Sequence, residues 1–198
     1  MKEQTIKGTK SVVVFIRGIP GSGKSYLAAE LQKIIDHDKL VVLDPDATDY
    51  TSHEYTEHTR SLAQEGVDPK LHAYRFLRAK AYKAIEDGKI IIWNQPFTSL
   101  EIFDKVTKRL TDHAISHNCD IAILVVEVEV DPKVASQRVT HRKHTGGHGP
   151  SDTIFDRFVS DFASFEGHGY DVLKVDGEGS VRHSAQAIEK ALDSLVAG

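Results

Sequence analysis

Residues 12 to 35 constrain this chain more than any other stretch. Val12–Arg17 is an unbroken apolar run rich in β-branched residues, up to its terminal arginine. Such a run reads as a strand buried on both faces. Gly18-Ile-Pro-Gly-Ser-Gly-Lys24-Ser25 follows at once. Leu27, Leu31, Ile34 and Ile35 then recur at helical spacing. Strand, glycine-rich turn and amphipathic helix together satisfy G-x-x-x-x-G-K-[ST] in the context that gives the motif its meaning.

The chemistry of that motif explains its composition. A triphosphate crowds several negative charges together. A loop of backbone N–H groups wraps them as an anion-binding nest. Gly18, Gly21 and Gly23 permit backbone conformations and a close approach that side chains would block. The helix after the loop directs its positive end at the same charges. Lys24 supplies a point charge to the β- and γ-phosphates, and the Ser25 hydroxyl is the expected Mg2+ ligand. The reading is therefore an ATP site built from Gly18, Gly21, Ser22, Gly23, Lys24, Ser25 and Tyr26, with Mg2+ held at Ser25.

Strands and helices alternate along the remaining sequence. Further strands are expected at Leu40–Leu43, Lys89–Trp93, Ile121–Val128 and Asp171–Val175. Helices are expected around Leu71–Ile85, after a Thr98/Glu101 capping box, and from Asp131–Pro132 to near His144. Two more follow Ser151 and span Val181–Val196. Asp44–Val67 shows no core stripe and reads as a polar surface loop with a helical turn. The pattern predicts an α/β fold: one domain over 1–198, three layers, and a five-stranded parallel sheet with helices on both faces. A mobile arginine-bearing lid is expected at about 138–152.

Composition narrows the setting. The 198 residues carry a formal net charge of −4, which gives no electrostatic reason to expect nucleic acid as the main partner. Cys119 is the single cysteine, so no intrachain disulfide can form. Met1–Lys10 is polar and lacks the apolar core of a signal peptide, and no apolar run is long enough to cross a bilayer. The expectation is a soluble cytoplasmic protein.

Two features extend the reading from binding a nucleotide to transferring its phosphate. Asp44-Pro45-Asp46 follows the second strand, and sites in open α/β sheets form beyond the carboxyl ends of strands. A carboxylate there can accept the proton of an attacking hydroxyl or support Mg2+. Arg138 and Arg142 lie four apart on one helix face, ahead of the Gly146, Gly147 and Gly149 cluster. A segment of this kind can close over the phosphates, exclude water and stabilise developing charge. His141, His144 and His148 do not match a zinc spacing; contact with phosphate or substrate suits them better.

These residues resemble the zeta-toxin-like and polynucleotide-kinase-like group of P-loop kinases, from Val12 to about Val175. The resemblance rests on Ile16-Arg-Gly-Ile-Pro-Gly-Ser-Gly-Lys-Ser25, Leu43-Asp-Pro-Asp46, Ser52-His-Glu-Tyr55, and Arg138-Val-Thr-His-Arg142 with Gly146-Gly-His148. It implies Asp46 as catalytic base and Lys24, Arg138 and Arg142 as stabilisers of the transferring phosphoryl group. It also implies substrate contacts from the Asp44, His53 and Tyr55 region. The chain departs from the group after its third strand, where Trp93-Asn94-Gln95 stands in place of the usual acid. Asn94 can donate hydrogen bonds there, and Trp93 is either a stacking surface for a sugar or base or a half-buried strand-end aromatic. The function expected is an ATP-dependent kinase acting on a hydroxyl of a small molecule such as a nucleoside or nucleotide sugar. Alternatives are a 5′-hydroxyl polynucleotide kinase and a nucleotide-dependent switch that binds without transfer. The resemblance leaves room for an antitoxin-like protein partner; no membrane partner is expected.

Overall fold

The architecture follows from strands that are apolar on both sides and therefore need cover on both sides. The computed structural model describes residues 10–197. The expectation about the first ten residues thus lies, apart from Lys10, outside the described residues. Five strands form one sheet: β1 (Lys10–Arg17), β2 (Leu40–Leu43), β3 (Ile90–Asn94), β4 (Asp120–Glu129) and β5 (Asp171–Asp176). Every pairing is parallel and the spatial order is β2-β3-β1-β4-β5. β1 is central, pairing Phe15 with Trp93 on one side and Val125 on the other.

Alternation along β1 divides the core. Val12, Val14 and Ile16 face α1 (Lys24–Ile34) and α7 (Val181–Ala197), meeting Leu27, Leu31, Ala185, Ile188 and Leu192. Val13 and Phe15 face α3 (His72–Glu86) and α4 (Leu100–Ser116), meeting Leu77, Ala81, Phe103, Val106 and Leu110. Burying one such large side chain contributes roughly 1.5–3 kcal/mol, so these two clusters dominate the stability of the sheet. Helix, sheet and helix make the three layers that the sequence predicts.

Two local expectations are corrected. The polar stretch after β2 is not mainly loop: α2 (His53–Gln64) occupies half of it. Ser52 caps α2 by accepting from Tyr55 N at 3.2 Å. Its packing face is sparse, with Leu62 the one buried residue and Tyr55 edge-on to Phe76. With one buried apolar residue, the helix offers little core stripe to read in the sequence. The second correction concerns α4, whose N-cap is Ser99, accepting from Ile102 N at 3.3 Å, rather than Thr98.

α5 (Pro132–His144) and α6 (Asp152–Asp161) form the remaining helical pair. Asp131 caps α5 as expected, accepting from Lys133 N at 2.7 Å, with Pro132 in the first turn. The pair has its own small core, in which Ala135, Val139 and Phe155 pack with Ile19 of the glycine-rich loop. No helix among the described residues is long and apolar enough to cross a membrane.

Candidate active site

Gly18–Ser25 links the carboxyl end of β1 to the start of α1. Gly21 and Gly23 have φ of 84° and 105°, the left-handed conformations that turn successive N–H groups to one side. Gly21 is also required sterically, because a Cβ there would collide with the Ala135 carbonyl of α5. α2, α4 and α5 are capped by Ser52, Ser99 and Asp131, whereas α1 begins at Gly23 with no side-chain cap and no acid in its first turn. Its free N–H groups and positive dipole end face the loop, an arrangement suited to an anion.

Lys24 folds back over that loop. Its Nζ donates to the carbonyls of Gly18 at 2.9 Å and Ile19 at 3.0 Å. Burial lowers its pKa to about 8; Asp46 and Asp44 oppose the shift, and Arg142 adds to it. Residues from three parts of the chain thus act on one ammonium: the loop before α1, the segment after β2, and α5. A desolvated cation among uncapped N–H groups gains from a bound anion, since phosphate supplies the charge that burial removes.

Asn94 joins the two carboxyl-end loops. Its Nδ2 donates to Asp44 Oδ2 at 2.6 Å and lies 3.3 Å from Ser25 Oγ. Asp44 Oδ1 accepts from the Asp46 backbone N at 2.8 Å, which fixes the Asp44–Asp46 turn. The Asn94 side chain is buried, yet its Oδ1 has no protein partner. The one amide group thus brings the Ser25 hydroxyl and the Asp44 carboxylate together, and these two hard oxygen donors fit Mg2+ and its water shell. The Asp46 side chain is exposed.

Not every expected residue reaches this site. Trp93 has no exposed surface: it stacks on Phe15 at 5.6 Å and donates from Nε1 to Gln95 Oε1 at 3.1 Å. Its side chain falls on the α3/α4 face of β3 by simple alternation, so it is a core residue and not a stacking surface. Tyr26 projects into solvent at 79% exposure from the first turn of α1. His53 is exposed at the start of α2, and Tyr55 packs between Tyr50 and Phe76. Arg138 donates to Gly177 O at 2.8 Å and to Gly21 O at 3.3 Å, placing its guanidinium across the loop after β5.

Two contributors escaped the sequence reading. Gly177 follows β5 and packs against the glycine-rich loop so closely that a Cβ would strike the Ser22 carbonyl. Its signal was Gly177-Glu178-Gly179 directly after a strand. The other is a buried ion pair between Arg17 and Glu127, at the carboxyl ends of β1 and β4. Arg17 Nε donates to Phe97 O at 3.0 Å, and its guanidinium lies between the rings of Phe162 and Phe165. Glu127 also accepts from Ser164 Oγ and Phe165 N, both at 2.7 Å. A charge inside each of two otherwise apolar strands was legible; that they pair required the strand order.

Parallel sheet, glycine-rich loop and the Ser25–Asp44–Asn94 cluster define a P-loop nucleotide-binding domain of the kinase-like class. Residues 13–164 match the AAA domain family AAA_33, and the chain belongs to that family. No curated protein sequence matches it. Solved structures of similar fold include a gluconokinase from Sinorhizobium meliloti 1021, at 16% identity, with 94% of each chain covered and a TM-score of 0.54. Deoxyadenosine kinase from M. mycoides with bound dATP is 19% identical, with 91% of this chain and 98% of that one covered and a TM-score of 0.53. Kti12 of Chaetomium thermophilum in complex with ADP-AlF3 is 14% identical, with 94% and 100% covered and a TM-score of 0.60. At these identities the likeness is one of fold, and it covers kinases without singling out the zeta-toxin group.

Proposed function

We propose that the protein transfers the γ-phosphate of ATP to a hydroxyl of a small molecule, with Asp46 as general base. The observation that carries this reading is the convergence of Asp44, Asp46 and Arg142 on the buried Lys24 ammonium. A site that only held a nucleotide would need the loop and the lysine. An exposed carboxylate close enough to act on that lysine adds an acceptor for the proton of an attacking hydroxyl.

In the proposed reaction the acceptor oxygen attacks the γ-phosphorus. The new O–P bond forms as the bond to the β,γ-bridging oxygen breaks, leaving ADP. The hydroxyl proton passes to the Asp46 carboxylate. Lys24 and Arg142 meet the charge that spreads over the phosphoryl oxygens. Arg138, tied to Gly21 O and Gly177 O, holds α5 against the nucleotide loops. Ser25 and Asp44 would hold Mg2+, steadied by Asn94; when bound, the ion would neutralise charge on the β- and γ-oxygens.

A panel of hydroxyl acceptors with γ-labelled ATP tests the reading, and sugars and nucleosides are the first acceptors to try, given the kinases of similar fold. Asp46→Asn should bind ATP nearly as wild type does, while label transfer falls steeply and added Mg2+ fails to restore it. Asp44→Asn should be rescued in part by Mg2+. Normal transfer by both variants would remove the general-base mechanism. The second reading, a nucleotide-dependent switch, draws on Asn94 standing where an acid is usual. It gains if wild type binds ATP yet labels no small molecule and no 5′-hydroxyl oligonucleotide.

A further inference from the structure

We propose that Glu86, His113 and His117 form a binding site for a Zn2+-class divalent cation that fastens α3 to α4. The group lies at the end of the molecule opposite the glycine-rich loop. Glu86 closes α3 just before β3 begins, and His117 follows α4 just before β4. The length of the sheet therefore separates it from Lys24. It is the one group of three such side chains among the described residues whose ligand atoms all lie within 4.8 Å of one another.

The hydrogen bonds fix which atoms are on offer. Ser116 Oγ donates to His113 O at 2.8 Å, and His117 Nδ1 lies 2.9 Å from both that carbonyl and the Ser116 hydroxyl oxygen. A carbonyl can only accept, so Nδ1 of His117 carries the hydrogen. In the neutral ring Nε2 is then a lone pair, and it faces Glu86 Oε1 at 4.0 Å. Two acceptors directed at each other across that gap are an arrangement that a cation resolves. His113 Nε2 donates to the same oxygen at 2.9 Å, and a cation bound there would take the place of that proton; the ring is held by stacking on Tyr82 at 3.9 Å.

The dimensions and the chemistry agree. Zn2+ takes imidazole nitrogen and carboxylate oxygen at about 2.0–2.2 Å, which sets tetrahedral ligand atoms about 3.4 Å apart. Bringing 4.0 Å to that spacing needs only rotation of side chains at the ends of two helices. A donor from His117 Nδ1 to a backbone carbonyl is the kind of outer contact that orients a metal-bound imidazole. His113 in the last turn of α4 and His117 at its C-cap lie side by side, their ring centroids 4.1 Å apart. Two imidazoles and one carboxylate select a borderline ion such as Zn2+ over Mg2+, and water would complete the shell. The bridge joins two helices that cover the same sheet face, so its expected effect is on stability rather than transfer.

Calorimetric titration of the metal-free protein with Zn2+ tests this. One equivalent should bind and raise Tm, and Mg2+ should do neither. Glu86→Gln and His117→Gln should each weaken Zn2+ binding by at least about 10-fold, since even outer-shell changes cost that much, and should abolish the Tm rise. Both side chains are partly exposed and lie outside the buried clusters, so these variants should fold as wild type does, and ADP binding should be unchanged. Absence of Zn2+ binding would overturn the site. So would full binding by both variants, or loss of binding only when His141, His144 and His148 are replaced.

Discussion

Lys24 concentrates the chemistry of the nucleotide site in one ammonium. Removing it in Lys24→Ala should abolish phosphate transfer, with nucleotide binding weakened less because the backbone nest remains. Its pKa of about 8 adds a pH dependence with a definite sign. The unfolded chain holds this proton up to the ordinary lysine value, so the cost of burying it is fully present below pH 8 and is relieved as pH rises above it. Affinity for an anion runs the other way. ADP binding, measured in EDTA with a fluorescent analogue, should be flat below about pH 8 and weaken by up to about tenfold per pH unit above it. Lys24→Met should flatten that profile; a wild-type profile already flat to pH 9.5, roughly two-thirds of the way to the ordinary lysine value, would remove the assigned shift. Most of this residue's environment was legible, because the motif fixes its neighbours in sequence. The participation of Asn94 was legible only as a departure from a pattern. Its bond to Asp44 spans fifty positions and depends on β2 and β3 lying side by side.

The same contrast between local and distant information holds for whole elements. Strands announced themselves because continuous apolar runs have few other uses, and their ends moved by only a residue or two. α5 was readable from Asp131-Pro132, a cap that acts within one turn. α2 was not, because its contacts with Phe76 belong to α3 and its own face carries little apolar surface. α5 is where element packing and the proposed function meet. α5 reaches the glycine-rich loop through Ala135 against Gly21 and through Arg138 on Gly21 O and Gly177 O. Arg142, one turn further on, acts on Lys24 without a hydrogen bond to it. The two arginines should therefore fail differently. Arg142→Ala should lower kcat by about 10²-fold with little change in nucleotide affinity, as expected for a group that meets transition-state charge. Arg138→Ala should weaken nucleotide binding as well, because it loosens α5 from both loops. Steady-state kinetics with ADP competition separates the two, and matching profiles would mean that α5 acts as one undivided face.

At the scale of the whole molecule, the Arg17–Glu127 pair ties the central strands to the chain that follows α6. The pair has essentially no exposed surface. Two charges in such a place gain little over apolar side chains, but each depends on the other once both are buried. Glu127 additionally receives Ser164 Oγ and Phe165 N, so the carboxylate fixes residues 164 and 165 over the sheet. Glu127→Gln keeps the shape and an acceptor for Phe165 N, but it strands the Arg17 charge between two phenyl rings. Breaking a buried pair in this way costs about 3–5 kcal/mol. In a chain of this size each kcal/mol lowers Tm by about 2–4 °C, so the loss should be plain in both thermal and urea unfolding. Arg17→Met with Glu127→Gln removes both charges and retains the acceptor, so it should recover most of the lost stability. The comparison isolates the stranded charge, since the two proteins share the same residue at 127. If the double variant is no more stable than Glu127→Gln alone, the carboxylate matters through its hold on residues 164 and 165, and the ion pair contributes little.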